Sequence, residues 1–190
     1  VWSIRRGGAY MQTPLVYGDY LYNLRGNGAL TCYKAVSDIP GDVDVALIAT
    51  PAKTVPAVLA DCGKRGVKGA IILATGFGEI GAAGKALEND VLAVAAKHHI
   101  RLIGPNTSGM INLKDNLNLV GLKDSPKGDI ALLSQSGNMA LSLITEAKIK
   151  SRKGFSFYVG VGNEADIKFH EYLEFFRQDP DTRAILMYVE

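Results

Sequence analysis

The chain has 190 residues, 47% of them hydrophobic and 21% charged, with a formal net charge of +2. That balance suits one large or two small water-soluble domains. It lacks the clustered Lys and Arg of a nucleic-acid-binding stripe. No apolar run approaches the roughly 18 residues of a membrane span, and the opening segment, with Arg5 and Arg6 but no apolar core, is not expected to act as a signal peptide.

The first 35 residues have a texture of their own. Pro14–Tyr17, Tyr20–Leu24 and Ala29–Tyr33 read as strands, joined by Gly18-Asp19 and by Gly26-Asn27-Gly28. Those turn residues predict an antiparallel meander. From Val43 onward the pattern changes to alternating strand and helix. Strands are predicted at Val45–Ala49, Ala70–Ala74 and Arg101–Ile103, with a fourth at Leu117–Val120, and helices at Val55–Gly66 and Gly81–His98. The polar run Lys123–Gly128, which holds Pro126, reads as a domain linker. The alternation then restarts with strand Ile130–Leu133, helix Met139–Lys150, strand Phe155–Val159, helix Ile167–Arg177 and strand Ala184–Val189. Near-continuous apolar strands between helices predict parallel, doubly wound sheets.

Ligands of such sheets sit at the carboxyl ends of the strands. The first loop there, Ala49-Thr50-Pro51-Ala52-Lys53-Thr54, offers a hydroxyl and a cation, and Thr54 is a candidate N-cap. The second, Ala74-Thr75-Gly76-Phe77-Gly78-Glu79-Ile80-Gly81, spells G-x-G-x-x-G. It follows the second strand of the alternating region, and Arg101 stands near where a ribose-binding acid would fall, which argues against a dinucleotide such as NAD. The third, Gly104-Pro105-Asn106-Thr107-Ser108-Gly109, carries Asn106, whose amide both donates and accepts.

In the second half, Ser134-Gln135-Ser136-Gly137-Asn138 joins a buried strand to a helix. Free N–H groups at that helix start, with two hydroxyls beside them, predict a phosphate or carboxylate site. Gly160-Val161-Gly162-Asn163-Glu164-Ala165-Asp166 leaves the next strand, with Asp166 as the expected N-cap of the following helix. Cys32 and Cys62 are too few for a disulfide framework, and neither they nor His98, His99 and His170 have metal-ligand spacing. A reduced, cytoplasmic setting without a metal site is expected.

These turns, in this order, resemble the NDP-forming acyl-CoA synthetases, the family of the succinyl-CoA synthetase α subunit and of the ADP-forming acetate–CoA ligases. The resembling run starts near Val36-Ser37-Asp38-Ile39-Pro40-Gly41-Asp42 and passes through Ala49-Thr50-Pro51, Gly76-Phe77, Gly104-Pro105-Asn106 and Ser134-Gln135-Ser136-Gly137. It ends with Gly162-Asn163-Glu164-Ala165-Asp166 and Tyr188-Val189-Glu190. The resemblance implies a Rossmann-like CoA-binding domain over 36–122, lacking its first βα unit, followed by a partial flavodoxin-like ligase domain over 128–190. It implies CoA along Ala49, Thr50, Pro51, Ala74, Thr75, Gly76 and Asn106, and the charge of Lys53 in the first loop suits a CoA phosphate there. It implies phosphate at Ser136, Gly137 and Asn138, beside the Ser134 hydroxyl of the same turn, and a contact from Glu190 to a phosphohistidine.

The family reaction converts acyl-CoA, NDP and phosphate to acid, CoA and NTP. The resemblance also implies an ATP-grasp β subunit or domain as partner. ADP, ATP and Mg²⁺ are expected only through that half, and the phosphohistidine segment is expected to lie beyond Glu190. The alternative is a non-catalytic CoA- or acyl-CoA-binding regulatory module. Residues 1–35 resemble one blade of a PQQ-like β-propeller, and either cover the sheet edge left by the missing first unit or hang loose.

Overall fold

The computed structural model describes residues 42–190, apart from 121, 123, 151 and 152, and the backbone of four strands before them. These are β1 (Ser3–Arg5), β2 (Leu15–Tyr17), β3 (Tyr20–Leu24) and β4 (Ala29–Tyr33). The strands β2, β3 and β4 pair antiparallel in sequence, as the turn residues predict, and β1 adds to β4. Unpaired strand edges are open to association. Here β2 lies parallel to β5 (Val45–Ile48), with Leu15 opposite Leu47, so the meander covers that edge.

The alternating region then extends the sheet through β5, β6 (Gly69–Ile72) and β7 (Arg101–Ile103), all parallel. The connections are α1 (Val55–Lys64) and α2 (Ala82–His98). Both helices lie on one face. Ala46, Ile48, Ala70, Ile72 and Leu102 pack there with Val55, Leu59 and Cys62 of α1 and with Val91 and Ala95 of α2. Cys62 is buried, and that burial, with Asp61 beside it, pushes its thiol pKa up to about 11.

Alternate residues of the same strands, Leu47 and Ile71, face the other way and are covered by Leu119, Met110 and Leu117. This cover comes from β8 (Met110–Asn112) and β9 (Leu117–Asn118), a hairpin that belongs by hydrogen bonding to the second sheet. That sheet runs β12-β10-β11-β8-β9, where β10 is Lys127–Ser134, β11 is Phe155–Gly160 and β12 is Ala184–Tyr188. Its three long strands are parallel, and β8 closes the β11 edge antiparallel, with Tyr158 opposite Ile111. The chain therefore passes from the first sheet to the second at Gly104–Gly109. The strand expected at Leu117–Val120 belongs to the second sheet, where an edge needed pairing.

The second sheet is covered on both faces. Leu132 and Tyr158 meet Ala140 and Ile144 of α3 (Gly137–Lys150). Ala131, Leu133, Phe157 and Val159 meet Tyr172 and Phe176 of α4 (Phe169–Gln178). No described helix is long and apolar enough to cross a membrane.

Candidate functional site

All five loops singled out by sequence leave the carboxyl ends of parallel strands, and the crossover brings the two sets together. In the first loop, Thr50 is 2% exposed, and its hydroxyl has no hydrogen-bond partner among the described residues. Pro51 and Lys53 are exposed. Thr54 does not cap α1 through its side chain; its hydroxyl donates to the Pro51 carbonyl at 2.8 Å and tightens the short 3-10 turn before the helix. The second loop lies against the first, since a Cβ on Gly76 would stand 3.4 Å from the Ala52 Cβ. The third is tied to the second through the Asn106 N–H, which donates to the Ala74 carbonyl at 2.9 Å.

The G-x-G-x-x-G turn is closed from within. One carboxylate oxygen of Glu79 accepts from the Gly76 and Phe77 N–H groups at 2.5 and 3.1 Å. Glu88, on α2 and 2% exposed, accepts from the Gly78 N–H at 3.2 Å and pairs with Lys85 at 2.5 Å. Burial pushes both acids upward, yet the hydrogen bonds from Asn163, Lys85 and the backbone outweigh it and hold both below the ordinary carboxylate value. The N–H donors of this turn are therefore occupied from within the chain.

Asn163, in the loop after β11, joins this group from the second domain. Its Nδ2 donates to Glu79 at 2.5 Å and to Glu88 at 3.1 Å, and its Oδ1 accepts from Asn106 Nδ2 at 3.2 Å. Its backbone N–H donates to the Pro105 carbonyl at 2.9 Å. Gly162 makes that approach possible: its φ is +62°, and a Cβ there would lie 2.2 Å from the Pro105 oxygen. Asp166 does not cap the next helix. It takes the Leu102 N–H at 2.7 Å and Arg101 at 3.1 Å, while Glu171 accepts from Lys168 N–H at the start of α4. The carboxylate is more useful across the domain junction, where it holds β7 to this loop.

The serine turn sits on the other side of the crossover. Ser134 is buried, and its hydroxyl donates to the Ser136 carbonyl at 2.7 Å. A Cβ on Gly137 would meet Ser108 Cβ at 3.1 Å, so the third loop and the start of α3 touch. Ser108 in turn hydrogen-bonds Tyr158, and Thr107 donates to the Gly160 carbonyl. The Gly137 and Asn138 N–H groups have no partner among the described residues, and the Ser136 hydroxyl accepts only a long bond from Met139 N–H, 3.4 Å. Gln135 Oε1 accepts the Glu190 N–H at 2.7 Å, which places Glu190 beside the same turn.

Sequence reasoning names every loop but not Glu79, Glu88 and Asn163 as one group. Glu88 is the hardest of the three to find, since an acid on an amphipathic helix ordinarily faces water. Its one signal is spacing: Gly84, Glu88, Val91 and Ala95 form the buried stripe of α2.

Two parallel α/β sheets with their strand ends facing a shared crossover define a Rossmann-like domain joined to a flavodoxin-like one. A family model described as "CoA binding domain" matches residues 24–112, and "Succinyl-CoA ligase like flavodoxin domain" matches 127–190. The first match takes in β4, part of the run that resembles a propeller blade. The acetate–CoA ligase [ADP-forming] I subunit alpha of Pyrococcus furiosus is 42% identical over 97% of this chain and 42% of its own length. The II subunit alpha of the same organism is 40% identical over 83% of this chain and 34% of its own. The solved dinucleotide-forming acetyl-coenzyme A synthetase 1 of Ca. Korarchaeum cryptofilum, in its apo form, superposes with a TM-score of 0.79 at 39% identity, covering 84% of this chain and 34% of that one. The chain belongs to the NDP-forming acyl-CoA synthetase family, and it spans less than half the length of these relatives.

Proposed function

We propose that this chain is the CoA-binding portion of an acid–CoA ligase that couples acyl-CoA cleavage to formation of ATP from ADP and phosphate. The observation that carries this reading is the convergence of two loop sets at Gly104–Gly109: the Asn106 N–H bonds Ala74 at the first domain's strand ends, while its amide meets Asn163 and Ser108 touches the helix start of the second. CoA lies along Ala49, Thr50, Pro51, Lys53, Ala74, Thr75, Gly76 and Asn106. The unpaired Thr50 hydroxyl supports this, because a buried unsatisfied polar group costs about 1–3 kcal/mol and a ligand group would satisfy it.

Phosphate binds at the start of α3, held by the Gly137 and Asn138 N–H groups with Ser134 and Ser136 beside them. Unpaired N–H groups and the positive end of the helix dipole suit an anion there. Glu190, at the rim of that turn, contacts the group that carries the phosphoryl. Nucleotide, Mg²⁺ and the phosphorylated histidine belong to an ATP-grasp β subunit or domain that completes the site, and the whole works in the cytoplasm.

The test is calorimetric titration with CoA, with dephospho-CoA and NAD as comparators. Saturable CoA binding, weakened about tenfold by Asn106→Ala, is the expected result. A folded chain that ignores millimolar CoA would overturn the reading. Binding that persists without turnover when the β subunit is supplied would favour a regulatory module instead.

A further inference from the structure

The amides of Asn106 and Asn163 stand in series, and the two carboxylates at one end fix the orientation of both. Ionised Glu79 and Glu88 accept hydrogen bonds and donate none. Whatever Asn163 turns toward them must therefore be its Nδ2, which lies 2.5 Å from Glu79 and 3.1 Å from Glu88. That leaves Asn163 Oδ1 facing Asn106, and an oxygen there demands a donor. Asn106 answers with its own Nδ2 at 3.2 Å. Its Oδ1 then has no partner among the described residues, and Asn106 is only partly buried. The carboxylates are themselves anchored: Glu79 by the Gly76 and Phe77 N–H groups, Glu88 by Gly78 N–H and Lys85.

We propose that Glu79 and Glu88, acting through Asn163, hold the Asn106 side chain with its carbonyl oxygen toward the ligand, as acceptor for an N–H or O–H donor on the pantetheine arm of CoA. The proposal rests on the CoA reading above and assigns a new role within it. Asn163, Glu79 and Glu88 are positioning residues, and Asn163 is the second domain's contribution to a site built mainly from the first. Lys85, the cation of this group, sits on the far oxygen of Glu88, so it does not reach Asn163.

The experiment compares affinities for CoA, for pantetheine, which keeps the donors, and for adenosine 3′,5′-bisphosphate, which lacks the arm. Asn163→Asp removes the donor to Glu79 and Glu88 and sets a third carboxylate against the other two, and that repulsion drives the side chain out of reach of Asn106, whose amide is then released. The substitution should lower CoA and pantetheine affinity about tenfold while leaving the bisphosphate unchanged. Adding Glu79→Gln reverses the polarity of that contact. The substituted side chain can still accept from Gly76 and Phe77 through its oxygen, while its amide donates to the carboxylate introduced at 163. The double variant should recover to within about threefold of wild type. A purely structural bracket would lower thermal stability and move all three ligands together or none.

Equal losses for the bisphosphate, no loss in Asn163→Asp, or no recovery in the double variant would each overturn the proposal. Should Asn163→Asp fail to fold, Glu79→Gln alone decides. It frees the amide series to invert and should weaken pantetheine about threefold, and unchanged affinity would overturn the idea. A wild-type chain that binds the bisphosphate and CoA equally, with Asn106→Ala silent, would remove the bracket alone. Failure of the wild type to bind CoA at all would remove the CoA reading with it.

Discussion

Two of the glycine-bearing turns at the strand ends, 74–81 and 134–138, are finished in opposite ways. The turn at 74–81 has the motif spelling associated with phosphate, yet its N–H donors at Gly76, Phe77 and Gly78 are occupied by Glu79 and Glu88. The turn at 134–138 matches no such spelling, yet the Gly137 and Asn138 N–H groups at the start of α3 have no partner among the described residues. The difference is where the nearest acid lies. An internal carboxylate within reach turns a potential anion site into a rigid wall, whereas neutral serines leave the donors available.

Each half of this contrast can be broken. The largest effect is expected from Gly84→Ala, since a Cβ there would lie 1.8 Å from the Phe77 carbonyl oxygen that α2 packs against. We expect a loss of about 3 kcal/mol in denaturant unfolding, with the loop at 74–81 displaced. Glu88→Gln should cost about 2 kcal/mol at neutral pH, because a buried, charge-assisted set of bonds becomes neutral. The sign with pH follows from the net depression of the Glu88 pKa below 4.5. Its stabilisation is present above that value and is lost as pH falls through the lower folded one. The gap between wild type and Glu88→Gln in urea midpoints should therefore close in acid.

Ser136→Asp tests the open turn by giving it an internal acid of its own. Phosphate affinity should fall about tenfold with stability kept or raised, since an acid suits a helix start. Isothermal titration with phosphate and a thermal melt read the two effects separately. The smallest effect belongs to Ser136→Ala, which removes one hydroxyl and should weaken phosphate by about threefold.

Much of this architecture was legible because apolar strands and amphipathic helices alternate with clear turn chemistry. Every predicted element after Val43 exists, most within two residues of its expected end. The sheet to which Leu117–Val120 belongs was not legible. Periodicity identifies a strand but does not say which edge it pairs, and the hairpin at 110–118 was claimed by the open edge of β11. At the site, single residues were readable and their partners were not. Asp166 and Thr54 each occupy a capping position by sequence, but Asp166 bonds Leu102, 64 residues away, and Thr54 bonds back to Pro51. Long-range hydrogen bonds of this kind leave no local trace in one sequence.

The buried thiol of Cys62 has a use of its own. Thiolate is the reactive form, and a group 1% exposed with its pKa near 11 offers almost none at neutral pH. Alkylation of Cys62 must then wait for the helical layer to lift from β5 and β6, so its rate clocks that opening without any denaturant. A ligand that clamps the loops at the same strand ends should slow the clock, and mass spectrometry of the peptide carrying Cys62 would read its occupancy from the far side of the domain.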